Sequence, residues 1–113
     1  MTVTIIMNGD VESCCTFIPA EKVEDMVREW LPEGHDLTVT DLETGDWEPD
    51  SIARTAVEYF ADKAYPLVYI ESTLCSFGAL PSKKNLLRYL NGDESFGIVE
   101  KDIAAAARAM KRT

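Results

Sequence analysis

The residues of this 113-residue chain best suited to chemistry are the adjacent Cys14 and Cys15, in the stretch Asp10-Val-Glu-Ser-Cys-Cys-Thr-Phe-Ile-Pro19. A cysteine thiolate is both a nucleophile toward disulfides and a soft ligand. A pair of them can exchange with a disulfide or hold a soft acceptor of the arsenite type. A bond between the two would be strained, because adjacent Cα atoms lie about 3.8 Å apart and disulfides favour about 4.4–6.8 Å. Such a bond is easily reduced and suits a switch better than a staple. Glu12 and Asp10 stand close by, and neighbouring carboxylates disfavour a further anion, which predicts a slow thiol. Cys75 reads as a small core residue. Glu12 and Cys75 are the candidate modulators of the pair, and the partner of an attacking loop cysteine is its neighbour, Cys75 or an external thiol. A closed zinc site needs four ligands. Cys14, Cys15, Cys75 and the lone His35 reach that number without a recognisable spacing, so no metal and no cofactor are expected.

Size and charge narrow the partners. A chain of this length forms one domain, and 46% hydrophobic against 27% charged residues is ordinary globular composition. The net charge of −9 opposes binding to nucleic-acid phosphates or anionic membranes. Its distribution is uneven: residues 1–62 hold 15 acids and 3 bases, whereas residues 63–113 hold 5 acids and 8 bases. A basic protein partner therefore fits the cysteine side better than an acidic one, and a small thiol remains an alternative partner. No apolar run is long enough to span a bilayer. The start of the chain has no secretory leader pattern, and three cysteines do not make a disulfide framework. The expected compartment is the cytoplasm. Phosphate-binding glycine loops and the Gly-x-Ser-x-Gly elbow are absent.

The elements that must position the cysteines follow from periodicity. Val3–Met7 is a β-branched apolar run closed by Asn8-Gly9, a strand and turn. Residues 10–18 read as irregular. Val23, Met26, Val27, Trp30 and Leu31 then fall on one helical face, starting near Pro19 and stopped by Pro32-Glu33-Gly34. Leu37–Leu42 alternates as a second strand, and a polar loop with Trp47 follows. A second helix is predicted over about Asp50 to Lys63, ended before Tyr65-Pro66. Leu67–Ile70 is a central strand, and Leu74–Phe77 returns after a tight turn. Ser82 caps a third helix closed by Asn91-Gly92, and an alanine-rich helix spans about Val99 to Met110. The spacing predicts three parallel strands joined by helices, with the fourth as hairpin partner of the third. His35 reads as a turn residue, and Lys83, Lys84 and Arg88 as a solvated face. Trp47 reads as a loop anchor, with an exposed partner contact as the alternative.

This order, β-α-β-α-β-β-α plus an appended helix, resembles the thioredoxin-like fold, an α/β architecture of three layers around a mixed four-stranded sheet. On that division residues 1–92 form the domain and residues 93–113 a helical extension packed on it. The cysteine loop between first strand and first helix, and Tyr65-Pro66 before the third strand, strengthen the resemblance. More narrowly, the chain is similar to small glutaredoxin-like disulfide oxidoreductases of the YuzD type. Cys15 and Pro19 reproduce the spacing from their second cysteine to a proline, and Tyr65-Pro66-Leu67-Val68 and Glu71…Gly78…Pro81 also match. Glu12 stands where those proteins carry the first cysteine of Cys-x-x-Cys. Arsenic metallochaperones also place adjacent cysteines in this loop but add a third nearby. The resemblance implies a cis-proline at Pro66 facing the cysteines, with Tyr65 and Pro66 lining a substrate groove. It implies a thiol-disulfide protein of low or specialised activity, in which Cys14 or Cys15 attacks. A non-redox binding or adaptor domain and a soft-metal binder are the alternatives.

Overall fold

The computed structural model describes residues 1–9, 11–12, 17–93 and 97–111, with the backbone alone for residues 11, 12, 62, 110 and 111. The β-branched run at the start forms β1 (Thr2–Met7), and the alternating Asp36–Asp41 forms β4 beside it. Between them lie two short strands, β2 (Val11–Glu12) and β3 (Phe17–Ile18), and helix α1 (Ala20–Trp30). Helix α2 (Ser51–Phe60) continues as a 3-10 turn over Ala61–Ala64. Strands β5 (Leu67–Ile70) and β6 (Thr73–Phe77) follow, then helices α3 (Lys83–Asn91) and α4 (Glu100–Lys111). The chain is thus an α/β protein whose main sheet is mixed and four-stranded, in the order β4-β1-β5-β6.

Helix boundaries follow local chemistry. Pro19 occupies the N-cap of α1, and its carbonyl accepts from the N–H groups of Lys22 and Val23. Asp50 caps α2 by accepting from the Ala53 N–H at 2.9 Å, and Ser82 caps α3 through the Asn85 N–H at 3.2 Å. Gly92 closes α3 in the left-handed region, φ 78°, which a residue without Cβ adopts at little cost. The helix expected over Asp50 to Lys63 is shorter: Ala61 turns to φ 51° and the last residues tighten into the 3-10 turn.

Strand direction departs from expectation. β4 runs parallel to β1, but β5 runs antiparallel to β1, with Ile6 opposite Leu67 and Val3 opposite Ile70. The first three strands are therefore not all parallel. The reason lies in residues 42–50, which carry the chain back along the sheet before α2 begins. Asp50, at the start of α2, accepts a hydrogen bond from Tyr69 in the middle of β5. Phe60, at its end, packs its ring 5.4 Å from Phe77, which pairs with Leu67 at the start of β5. Loop and helix cancel each other's travel, so β5 starts where β4 stopped. Of the stretch read as irregular, Asp10 to Ile18, residues 11–12 and 17–18 are described and they form strands. Val11 pairs with Ile18 and Glu12 with Phe17 in a separate antiparallel ladder.

The sheet is covered on both sides. Val3, Ile5 and Met7 of β1, with Val68, Ile70 and Cys75, meet Val23 and Val27 of α1 and Leu86 and Leu90 of α3. On the opposite face Ile6, Leu67, Tyr69 and Leu74 meet Ala53 and Ala56 of α2 and Ile103 of α4. Trp47 anchors the 42–50 loop on this second face, its ring 6.0 Å from that of Tyr69. No helix among the described residues is long and apolar enough to cross a membrane. Ile103 is fully buried, so Ile103→Ala is expected to cost about 2–5 kcal/mol. Urea unfolding followed by circular dichroism measures this. A loss below about 0.5 kcal/mol would mean that α4 is not part of the folded core.

Candidate functional site

The cysteine-bearing segment leaves the sheet at the C-terminal end of the parallel β1/β4 pair. Asn8-Gly9 makes the exit turn, and Gly9 sits at φ 87°, where a side chain is disfavoured. A Cβ built there would lie 2.9 Å from the Glu43 carboxylate. One carboxylate ties this end together: Asp41 Oδ1 accepts from the Gly9 N–H at 3.1 Å and from the Glu43 N–H at 3.0 Å. The Leu42 N–H donates to the Met7 carbonyl at 2.8 Å. The β2/β3 ladder then sets the two sides of the segment, with Glu12 opposite Phe17. Cys14 and Cys15 fall between these strands, at positions outside the described residues. Glu12 is in β2, and the Phe17 ring is 64% exposed.

Tyr65-Pro66 stands at the same end of the sheet. Leu67 pairs with Ile6, so the preceding Pro66 lies alongside the end of β1 from which the cysteine segment departs. The Tyr65-Pro66 peptide bond is cis, and Pro66 is buried. The Gly78 N–H is shared between the carbonyls of Ala64 and Pro66, at 2.9 and 3.2 Å, which fastens this junction to the end of β6. The Tyr65 side chain is half-buried against the cluster that α2 and α4 cover. α1 packs on the other face, so the aromatic ring lies across the sheet from that helix.

Cys75 is a core residue on β6, 7% exposed, on the α1/α3 side. It occupies an irregularity in the β5–β6 ladder: Tyr69 pairs with Leu74 and Val68 with Ser76, leaving Cys75 as the extra residue. Burial in apolar surroundings pushes its thiol up to about 11. That makes Cys75 a poor attacking group at neutral pH and counts against it as a ready partner for the loop cysteines. Burial also raises the phenol of Tyr69, with the nearby Asp50 carboxylate adding to the effect. Asp50 Oδ1 accepts from the Tyr69 hydroxyl at 3.1 Å.

The remaining candidates are quieter. Among the described residues no group of three His, Cys, Asp or Glu side chains is placed to hold a metal ion. No buried side-chain nitrogen or oxygen among them lacks a partner, so no orphaned polar group marks a second preformed site. His35 lies beside the chain start, its Nδ1 3.2 Å from the Met1 amine. The Asp41 tie escaped sequence reading. Its only local sign was a carboxylate at the last position of a strand, which many strands share. Comparison with family models, with curated proteins and with solved structures finds no significant match.

Because the folded-state thiol of Cys75 titrates at about 11 rather than the ordinary 9.0, the native state retains its proton longer than the unfolded chain. Stability is therefore expected to fall as pH rises from about 9 toward 11, and Cys75→Ala is expected to flatten that fall. Urea midpoints across this range measure it, and an unchanged slope in the variant overturns the assignment. Native alkylation at pH 7 is expected to leave Cys75 unmodified, and alkylation in denaturant to label it, read by peptide mass mapping.

Proposed function

We propose that the chain is a thioredoxin-like thiol-disulfide protein of low or specialised activity, acting through Cys14 and Cys15. The observation that supports this most strongly is the sheet. Its order β4-β1-β5-β6, with β4 parallel and β5 antiparallel to β1, is the arrangement of a thioredoxin-like domain. So is the division of α1 and α3 to one face and α2 to the other. In that arrangement the segment between the first strand and first helix is where redox cysteines sit, and here it contains both loop cysteines. Pro66 beside the end of β1 agrees with this reading.

The chemistry is thiol-disulfide exchange. The thiolate sulfur of Cys14 or Cys15 attacks one sulfur of a substrate disulfide, forming a mixed disulfide and releasing the other sulfur as a thiolate that takes up a proton. A second thiol then attacks the mixed disulfide. If it belongs to the neighbouring cysteine, the substrate leaves reduced and the protein is left with a strained internal bond. If it comes from an external thiol, that thiol attacks the substrate sulfur and releases the protein thiolate, and a second external thiol then frees the reduced substrate, the two external thiols leaving as their disulfide. The burial and raised pKa of Cys75 favour these two routes over one through Cys75. Asp41 and Glu43 stand at Gly9, the turn from which the cysteine-bearing segment departs, and carboxylates close to a thiol disfavour its thiolate.

A second reading, a binding or adaptor domain without redox turnover, is favoured by Glu12 at the position where the resemblance requires the first cysteine. One experiment separates the two. Reduction of a protein disulfide by dithiothreitol, accelerated by catalytic amounts of the protein, is expected to lose its acceleration in the Cys14→Ser/Cys15→Ser double variant. One single variant is expected to lose at least about tenfold and so identify the attacking sulfur. Equal rates for the wild type and the double variant eliminate the exchange reading and leave the binding one.

A further inference from the structure

The two edges of the main sheet are treated differently. On the β6 edge the Ile98 N–H donates to the Leu74 carbonyl at 2.9 Å, so the segment leading into α4 covers that side. β4 forms the other edge. The Asp36 N–H donates to the Met1 carbonyl and the Leu42 N–H to the Met7 carbonyl. The even-numbered residues of β4 thus turn their peptide groups toward β1, because a parallel ladder alternates. Leu37 and Val39 therefore turn their N–H and C=O groups outward. Among the described residues no further strand pairs with β4. Exposed strand edges are ordinarily protected by charged side chains, prolines or bulges; β4, Asp-Leu-Thr-Val-Thr-Asp, has no proline or bulge, and its only charges are the aspartates at its two ends.

Charge indicates what such an edge accepts. Between Arg28 and Arg54 the sequence holds eight carboxylates and no lysine or arginine. Asp36 and Asp41 bracket β4, and Glu33 and Glu43 flank it. A cleft of about 290 Å³ opens at the start of the strand, lined by Leu31, Pro32 and Leu37 together with Glu33, Asp36 and His35. Arg28, the one cation on its wall, is already paired with Glu24. A second copy of this chain would bring the same carboxylates against these, which disfavours self-pairing.

We propose that the β4 edge is a docking surface for an extended, lysine- or arginine-bearing segment of a partner protein, added to the sheet as a fifth strand. Main-chain hydrogen bonds to Leu37 and Val39 supply the pairing. A basic side chain of the added strand enters the cleft, its stem against Leu31 and Pro32 and its head near Glu33 and Asp36. This inference does not rest on the thiol chemistry. It adds a second surface to a single small domain.

The test uses the full chain and an acetylated, amidated seven-residue peptide alternating lysine with valine, beside the same peptide with glutamate for lysine. The lysine peptide is expected to bind, to slow amide hydrogen exchange at Leu37 and Val39, and to weaken as salt rises. Glu33→Gln and Asp36→Asn are each expected to weaken it about two- to fivefold, the range for exposed ion pairs. Val39→Pro removes an outward N–H and no bond to β1, a placement that edge strands tolerate. It is expected to abolish exchange protection at Leu37, with circular dichroism verifying the fold. If that variant fails to fold, the lysine peptide N-methylated at alternate residues takes its place and is expected not to bind. Equal binding of the two peptides, protection located elsewhere, or a dimer in sedimentation that protects β4 without peptide would each overturn the proposal.

Discussion

β1 is buried on both faces and hydrogen-bonded along both sides, and the rest of the molecule is arranged to satisfy it. Val3, Ile5 and Met7 need one apolar layer and Ile6 another, so helices must lie above and below the sheet. Its main-chain groups need two strand neighbours, β4 in parallel register and β5 in antiparallel register. A backbone left unpaired in that position would cost about 1–3 kcal/mol per polar group. The Asn8-Gly9 exit turn and Tyr65-Pro66, both at the C-terminal end of β1, take their places from that strand.

Polar contacts tie segments distant in sequence to this frame. Asp41 serves two N–H groups at the exit from β1, and Asp50 serves the first turn of α2 and the Tyr69 hydroxyl at once. Each carboxylate fastens a loop to the sheet without being buried. The acidic half of the sequence therefore does double duty. Some of its carboxylates cap and tie, while Glu33, Glu43 and the others leave one end and one edge of the sheet strongly negative.

Much of the fold was legible because its elements are periodic. Val23, Met26, Val27 and Trp30 marked α1, Ser82 and Gly92 marked the ends of α3, and the short apolar runs marked β1 and β5. What periodicity could not reach was direction and pairing. A helix between two strands suggests a parallel crossover, but residues 42–50, a turn followed by an irregular stretch, undo that travel and turn β5 around. The β2/β3 ladder is two residues per strand, too short for any alternation to register. In the site, the cysteine pair and the proline before β5 were readable as residue types at informative positions. The Asp41 tie was not, because a carboxylate at the end of a strand has no spacing that distinguishes it.

By itself, then, the sequence determined the type of the main elements, most of the residues that face the core, the chemical groups available and the uneven charge. These depend on local periodicity and composition, which any folded form must respect. Tertiary structure alone decided that β5 runs against β1, that Cys75 is the extra residue of an irregular β5–β6 ladder, and that β4 is an edge among the described residues while Ile98 bonds to the β6 side. Those outcomes depend on which distant segments meet, and the free energy that selects among such meetings is a sum over contacts that no short window of sequence contains.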